Sequence, residues 1–224
     1  MFDPDFVFGE MLPALNRGLI TSMMLIVPSA TLGLLFGIIV GTGRVFGPAW
    51  VRKAGDIYTA TFRGVPLVVQ LMIIYFGLPN IGIYLEPFPA AVLGFVLCSA
   101  AYNSEYVRGA LLSIRQGQLK AAQALGFSKL KTVLFIVVPQ AVRRALPGCG
   151  NEIIYLIKYS SLAYVITCIE LTGEGKVVAA RSFRFTEVFL FVGAYYLFLV
   201  TLASWILHRV EQHFSIPGFG RAKQ

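Results

Sequence analysis

The chain has 224 residues, of which 57% are hydrophobic and 13% are charged, whereas an average soluble domain has about 25% charged residues. This composition excludes an ordinary water-soluble protein, because so few polar side chains cannot cover so much apolar surface. The formal net charge is +8. The basic residues flank apolar runs, which indicates membrane topology and contact with anionic lipid head groups rather than binding of nucleic acid.

Long apolar runs predict an all-α, polytopic membrane protein with about five transmembrane helices, since a helix needs about 20 largely apolar residues to cross a bilayer. In chain order the runs cover about 18–40, 57–78, 88–112, 148–169 and 187–207. Continuous runs favour helices over a closed barrel, whose strands alternate in polarity. The first run is too long for a signal peptide and follows an acidic leader, so we expect it to remain in the mature protein.

Three glycines recur at intervals of four within the first run, at Gly33, Gly37 and Gly41. A stripe of small residues lets two membrane helices approach closely. We therefore expect this face to pack against another helix, and we assign no chemistry to it.

The longest segment between predicted spans is 108–147. It contains good helix formers over 118–125, with Gly126 suited to end that helix and Ser128 able to cap the next. A shorter apolar run, 132–138, cannot span a bilayer, and we expect it to lie near the inner interface or to enter the membrane obliquely. On these residues alone the segment is either an ordinary helical hairpin or a surface for a partner.

The distribution of Lys and Arg predicts the orientation in the cell inner membrane. Most of the 19 basic residues become cytoplasmic if the N-terminus lies outside and the C-terminus inside. The expected parts are then an extracytoplasmic segment 1–17, a transmembrane domain 18–207 with 108–147 as its cytoplasmic loop, and a cytoplasmic tail 208–224. The outer stretch 171–186 is itself basic and is the exception to this rule.

The segment 108–147 carries an ordered set of short motifs, and others occur on both sides of it. Within it they are Gln118-Leu-Lys-Ala-Ala-Gln-Ala-Leu-Gly126, Ile136-Val-Val-Pro139-Gln140 and Leu146-Pro147. The others are Arg63-Gly-Val-Pro66-Leu-Val-Val-Gln70, Ala101-Tyr-Asn-Ser-Glu105-Tyr-Val-Arg108-Gly109-Ala110, Ser113-Ile114, Gly117-Gln118 and 151–162. The set resembles the permease subunits of binding-protein-dependent ABC importers, and more narrowly the polar amino-acid permeases of the histidine, glutamine and arginine importer group. The resemblance covers about 18–207. One departure is Lys120, where the family usually has Glu.

The resemblance implies a subunit that forms the substrate path of an ATP-driven amino-acid importer. It implies several partners: cytoplasmic ATPase subunits that bind ATP and Mg, an extracytoplasmic substrate-binding protein, and a second permease subunit that is identical or related. We expect the chain itself to be no enzyme and to bind no cofactor. Its Gly173-Glu-Gly175-Lys176 stretch lacks the first glycine of a phosphate loop and is followed by Val177 instead of Ser or Thr. The residues expected to couple to the ATPase are Gln118, Lys120, Ala121, Ala122, Ala124 and Gly126.

Polar residues in or beside the spans are candidates for the substrate path, since an ionised side chain at the bilayer centre costs roughly 2.5–3.5 kcal/mol and needs a reason. They are Arg63, Gln70, Asn103, Asn151, Glu152, Lys158, Ser160 and Ser161. Arg63 would either meet a substrate carboxylate or pair with Glu105, and we prefer the pairing. Glu105 and Arg108 are three positions apart, which predicts a structural ion pair on one helix face. Glu152 would either favour a cationic substrate side chain or be an acidic residue at a helix start.

Two other functions fit some of these features. An ion-gradient-driven secondary transporter would explain charges in the spans, but such carriers usually show repeated halves, and the sequence shows no repeat. A channel or membrane scaffold would need no pump. An intramembrane enzyme is disfavoured, because the sequence shows no Cys–His, Ser–His or metal-binding constellation. The cysteines Cys98, Cys149 and Cys168 are expected to be packed free thiols, and we expect neither catalytic residues nor a metal site.

Overall fold

The structure is a computed structural model that describes residues 3–114 and 116–214. All regular secondary structure in these residues is helical. The helical segments in chain order are α1 (Pro4–Phe46), α2 (Ala49–Gly64), α3 (Leu67–Ile81), α4 (Pro87–Leu112), α5 (Gln116–Ala124), α6 (Lys129–Ile166), α7 (Leu171–Ser182) and α8 (Phe185–Phe214).

Two helices, α1 with 43 residues and α8 with 30, are long and apolar enough to cross a membrane. They contain the first and fifth predicted spans. At a rise of about 1.5 Å per residue, α1 is far longer than the hydrocarbon core of a bilayer, about 30 Å. Helix α8 continues to Phe214, so the predicted tail begins within a helix. Residues 215–224, including the predicted cytoplasmic Arg221 and Lys223, lie outside the described residues, as does Arg115.

The second predicted span, 57–78, is wrong as a single helix, because the chain bends by 104° between α2 and α3. Pro66 has no backbone N–H and forces the preceding residue out of the helical region. Val65 is accordingly extended, with φ −96° and ψ 132°. The side chain of Gln70 holds the break: its Nε2 donates to the carbonyls of Phe62 and Val65, each at 2.8 Å.

The predicted separation of 132–138 from the fourth span, 148–169, is also wrong, since α6 runs unbroken from Lys129 to Ile166 and joins them. Pro139 does not end the helix because a π turn over Val133–Val137 precedes it, in which the N–H of Val138 bonds to the carbonyl of Val133. The helix tightens to 3₁₀ geometry over Ser160–Ile166. Helix α7 then follows at 54°. By length and composition the described residues hold two membrane-crossing helices, or four if each bent pair is one span.

The third predicted span, 88–112, coincides with α4, which packs along α1 in the same direction. The glycine stripe faces α4: a Cβ on Gly33 would lie 2.8 Å from the Ser99 hydroxyl, and one on Gly41 would lie 2.8 Å from the Ser104 carbonyl oxygen. Since no side chain fits there, the expected close packing of this face is confirmed.

Buried apolar clusters define the two ends of the bundle. At one end, Met11 and Leu15 of α1 pack with Leu171 of α7 and Val188 of α8. At the other, residues of α4 pack with the first half of α6, and Leu119 of α5 packs against them. We refer to these as the α7 end and the α5 end. The first cluster places the N-terminal segment beside 171–186. Residues of the loop 108–147 line one pocket with Leu207 and His208 of α8, as the sequence-based topology groups them.

Candidate functional site

Helix α5 is a short helix at one end of the bundle, and its C-terminal turn is well defined. Its last helical residue is Ala124. Gly126, whose φ of +81° suits glycine, reverses the chain in the turn that follows, and the N–H of Phe127 bonds to the carbonyl of Ala122 at 3.1 Å. The Ser128 hydroxyl caps α6 by accepting from the N–H of Lys131 at 3.4 Å. The turn between the two helices is therefore fixed by its own backbone rather than left as a floppy loop.

The residues predicted to couple to an ATPase divide into two groups. Ala122 is only 3% exposed and faces the bundle, so it anchors α5. The other five are exposed: Gln118, Lys120, Ala121, Ala124 and Gly126. Nearby, Leu125 is 78% and Leu130 is 68% exposed. Exposed leucines beside small residues are typical of a surface that contacts another protein.

Glu105 lies at the centre of an ion network at the α5 end. Its carboxylate accepts from Arg108 at 2.9 Å and from Arg44 at 2.6 Å, while Arg63 is 3.8 Å away. Arg44 also donates to Asp56 at 2.7 Å and is 8% exposed. Arg44 was not singled out from the sequence, and this role was missed. The available signal was its place one turn beyond the glycine stripe, on the face that meets α4.

Four of the eight predicted path residues bond to the protein itself. Gln70 holds the break before α3, and Asn103 donates to the Ser99 hydroxyl at 3.2 Å. Ser160 and Ser161 donate to backbone carbonyls one turn back, at 2.8 and 2.7 Å. These four side chains therefore have hydrogen-bond partners within the chain.

The remaining four include three exposed polar side chains. The Arg63 side chain is 42% exposed and lies over the Tyr102 ring, 5.2 Å from its centroid. Asn151 and Lys158 are exposed on α6, and Lys158 lies over the ring of Tyr155 at 5.6 Å. The spacing of Asn151, Tyr155 and Lys158 puts these three residues on one face of α6. A polar face in a membrane helix indicates water or a subunit contact rather than lipid.

Glu152 neighbours Asn151 in sequence but occupies a different face of α6. It is 3% exposed, with Ser99 of α4 beside its carboxylate. The structure therefore does not place Glu152 with the three exposed polar residues.

A second buried carboxylate, Glu170, was not singled out from the sequence. It is fully buried and caps α7 by accepting from the N–H groups of Thr172 and Gly173, both at 3.0 Å. It also accepts from the hydroxyls of Tyr196 at 2.9 Å and Ser22 at 3.4 Å. An acidic residue just before a helix start was the available signal, but its partners on α1 and α8 are about 150 and 26 residues away in sequence.

The start of the chain is held at the same end. Arg184 donates to the Asp3 carboxylate at 3.2 Å and lies 4.5 Å from the centroid of the Phe6 ring. The hydrogen bond from Arg184 lowers the pKa of Asp3 from its ordinary value of 3.8.

No group of three or more His, Cys, Asp or Glu side chains within 3–114 and 116–214 could hold a metal ion. The cysteines Cys98, Cys149 and Cys168 are buried free thiols.

Comparison with known proteins assigns the chain to a family. Residues 33–216 match the family described as binding-protein-dependent transport system inner membrane component. The glutamine transport system permease protein GlnP of Escherichia coli K12 is 37% identical, over 92% of this chain and 94% of that protein. The octopine transport system permease protein OccM of Rhizobium radiobacter is 38% identical, over 92% and 90%.

Solved structures agree. An amino acid ABC transporter crystallised with histidines superposes with a TM-score of 0.84 at 28% identity, covering 95% of this chain and all of that one. The MetNI methionine ABC transporter, at 20% identity and a TM-score of 0.79, shows the same fold. The chain therefore belongs to the family of inner membrane components of binding-protein-dependent transport systems.

Proposed function

We propose that the chain is the permease subunit of an ATP-driven importer for polar amino acids. Family membership and relatives named for glutamine and octopine transport support this. The observation that carries the coupling role is α5, a capped helix with an exposed outer face and a buried anchor. Its partners would be ATPase subunits that bind ATP and Mg, an extracytoplasmic binding protein, and a second permease subunit.

The continuity of α6 supports a mechanism for coupling. Helix α5 is tied to α6 by the capped turn at Gly126 and Ser128, and α6 extends without a break to Ile166. A displacement of α5 by a closing ATPase dimer would therefore be transmitted along one continuous helix through the bundle. A flexible connector would absorb the same displacement.

The exposed polar face supports a substrate path. We assign Asn151 and Lys158 of α6 to it, since their side chains are exposed. Arg63, exposed on α2, would contribute only by giving up its pairing with Glu105 at 3.8 Å. Arginine and lysine suit the carboxylate that every amino acid carries. Gln70, Asn103, Ser160 and Ser161 would act as scaffold behind this face.

We keep Glu152 as a hypothesis for selectivity. A buried carboxylate beside a neutral hydroxyl is poorly compensated, and a cationic substrate side chain would compensate it. Glu152→Gln should reduce competition by arginine or lysine in uptake assays while leaving competition by glutamine unchanged. An unaltered preference between basic and neutral amino acids would reject the hypothesis.

We further propose that the α5 end is cytoplasmic and the α7 end is outside, as the basic residues indicate. Single cysteines at exposed positions Lys120 and Lys176, in a background without native cysteines, should react with a membrane-impermeant thiol reagent in opposite-sided vesicles. Labelling of both from the same side would reject this topology.

The test of the whole function is ATP hydrolysis in lipid. The chain should co-purify with an ATPase whose activity rises when a binding protein and its amino acid are added. Transport by the chain driven by an ion gradient, without any ATPase, would overturn the proposal.

A further inference from the structure

The surface of α5 has an unusual charge pattern. All seven charged residues between Glu105 and Glu152 are basic: Arg108, Arg115, Lys120, Lys129, Lys131, Arg143 and Arg144. Three of them, Lys120, Lys129 and Lys131, are exposed on α5 and the first turn of α6. None of the three forms an ion pair with any residue that the structure describes. This surface therefore carries positive charge with no internal compensation.

Lys120 has a distinct position in this surface. Residues 117, 120, 121 and 124 recur at intervals of three and four, which places them on one face of α5. All four are exposed. Three of them, Gly117, Ala121 and Ala124, have little or no side chain, so Lys120 carries the only long side chain of that face. A partner could approach the helix backbone closely and would then enclose the ammonium group.

An enclosed ammonium needs an opposite charge. Removing a cation from water without a counter-ion is costly, so buried charges are normally paired. Exposed Leu125 and Leu130 flank the same stretch and favour a partner with an apolar hollow. A lipid surface fits less well, since membrane-surface helices line the face beside their lysines with large apolar residues. The face that carries Lys120 has otherwise only glycine and alanine, and the exposed leucines lie outside it.

Resting on the proposed function, we propose that the ATPase surface that receives α5 is acidic and that one of its carboxylates pairs with Lys120. Lys129 and Lys131 add long-range attraction at the edge of the contact. The partner is thereby defined by its chemistry: an apolar groove with acidic groups positioned for the α5 ammonium.

The test measures binding of the ATPase subunit, identified by the hydrolysis experiment above, to this chain in neutral-lipid nanodiscs. Ionic strength is varied from about 0.01 M to about 1 M, which shortens the Debye length from about 30 Å to about 3 Å. Affinity of the unmodified chain should fall as salt rises. Lys120→Glu should weaken binding at low salt by at least about tenfold, and Lys120→Gln should weaken it less and flatten the salt dependence.

Lys53→Glu is the matched control, since Lys53 is also an exposed lysine but lies on α2. It should change affinity little. Restored binding of Lys120→Glu by an ATPase carrying an acid-to-lysine change in its groove would identify the paired carboxylate.

Equal affinity of the unmodified and Lys120→Glu chains for the ATPase would overturn the proposal of an acidic surface, as would binding that does not depend on salt. Binding of the nanodisc-held chain to anionic vesicles is measured in parallel. If Lys120→Glu keeps its ATPase affinity and loses only vesicle binding, the surface contacts lipid and the acidic ATPase surface is rejected. Failure of the unmodified chain to bind any ATPase would instead reject the proposed function.

Discussion

Glu105 at the α5 end and Glu170 at the α7 end are each held by several partners, but the partners differ in kind. Glu105 is 20% exposed and has three arginines within 4 Å. Glu170 is fully buried and is held by two backbone N–H groups and two hydroxyls. Arginines that share a carboxylate near water can exchange places at small cost, whereas directional bonds in a closed site fix one geometry. The comparison indicates an α5 end that can rearrange and an α7 end that is locked.

The largest expected effect is on the locked end. Glu170→Ala removes the acceptor of four hydrogen bonds and leaves buried donors unpaired, so it should lower the free energy of unfolding by roughly 3 kcal/mol. Thermal and denaturant unfolding in detergent measures this. Glu170→Gln keeps one acceptor oxygen and should cost less. A Glu170→Ala chain as stable as the unmodified one would show that α7 is not held by this cap.

A smaller loss is expected for Arg44→Met at the α5 end. It removes the shortest bond to Glu105 and the bond to Asp56, which should cost about 2 kcal/mol, while Arg108 still pairs with Glu105. Arg44→Lys keeps the charge but not the planar guanidinium that bonds to both Glu105 and Asp56. Its stability should lie between those of the unmodified chain and Arg44→Met in the same unfolding assay. A loss larger than that of Glu170→Ala would contradict the comparison.

Tyr196→Phe removes one of the four donors to Glu170 and should cost about 1 kcal/mol. Tyr195→Phe is a matched control one residue away, because its hydroxyl bonds to Asn16 at an exposed site and its loss should be close to neutral. Equal effects of the two changes in unfolding experiments would show that burial of the Glu170 site adds nothing to the free energy contributed by the Tyr196 hydrogen bond.

The smallest expected effect concerns the start of α1 and depends on pH. The folded pKa of Asp3 lies below 3.8 because of Arg184, which also has Glu187 at 3.9 Å. A lowered pKa gives stability that is present above the unfolded pKa and is lost as pH falls through the folded value. Hydrogen exchange of the first turn of α1 should therefore accelerate below about pH 4. In Asp3→Asn, hydrogen exchange of this turn should be fast both above and below about pH 4, after correction for intrinsic exchange rates.

Local features of the fold could be predicted from the sequence. Gly126 and Ser128 mark the end of α5 and the start of α6, and the glycine stripe marks a closely packed face, because each depends on a residue's own conformational or steric properties. Pro66 signals a break for the same reason. The continuation of α6 through Pro139 could not be predicted, since the π turn that precedes it depends on hydrogen-bond register and leaves no mark in composition.

The ion network and the α7 cap could not be predicted, because both depend on which residues come close together in the folded chain. Arg44 meets Glu105 and Glu170 meets Ser22 only after the helices pack, and 61 and 148 positions separate the members of these pairs. A single sequence records which residues are polar but not which partners they find. For the same reason it could nominate eight path residues but could not separate Gln70, which holds a helix break, from Asn151, which is exposed.

The glycine stripe on α1 also has a consequence for biogenesis. Its partner helix α4 lies beyond the bent pair α2–α3, so Gly37 is synthesised 66 residues before Asn103, which it contacts. At about 5–20 residues per second, the stripe faces lipid for on the order of ten seconds before α4 emerges. Glycine exposes no polar side chain, and its backbone hydrogen bonds are already satisfied within the helix. Helix α1 is therefore stable in the bilayer before α4 is synthesised. The nascent chain thus inserts first and pairs afterwards, with the docking face complete before its partner exists.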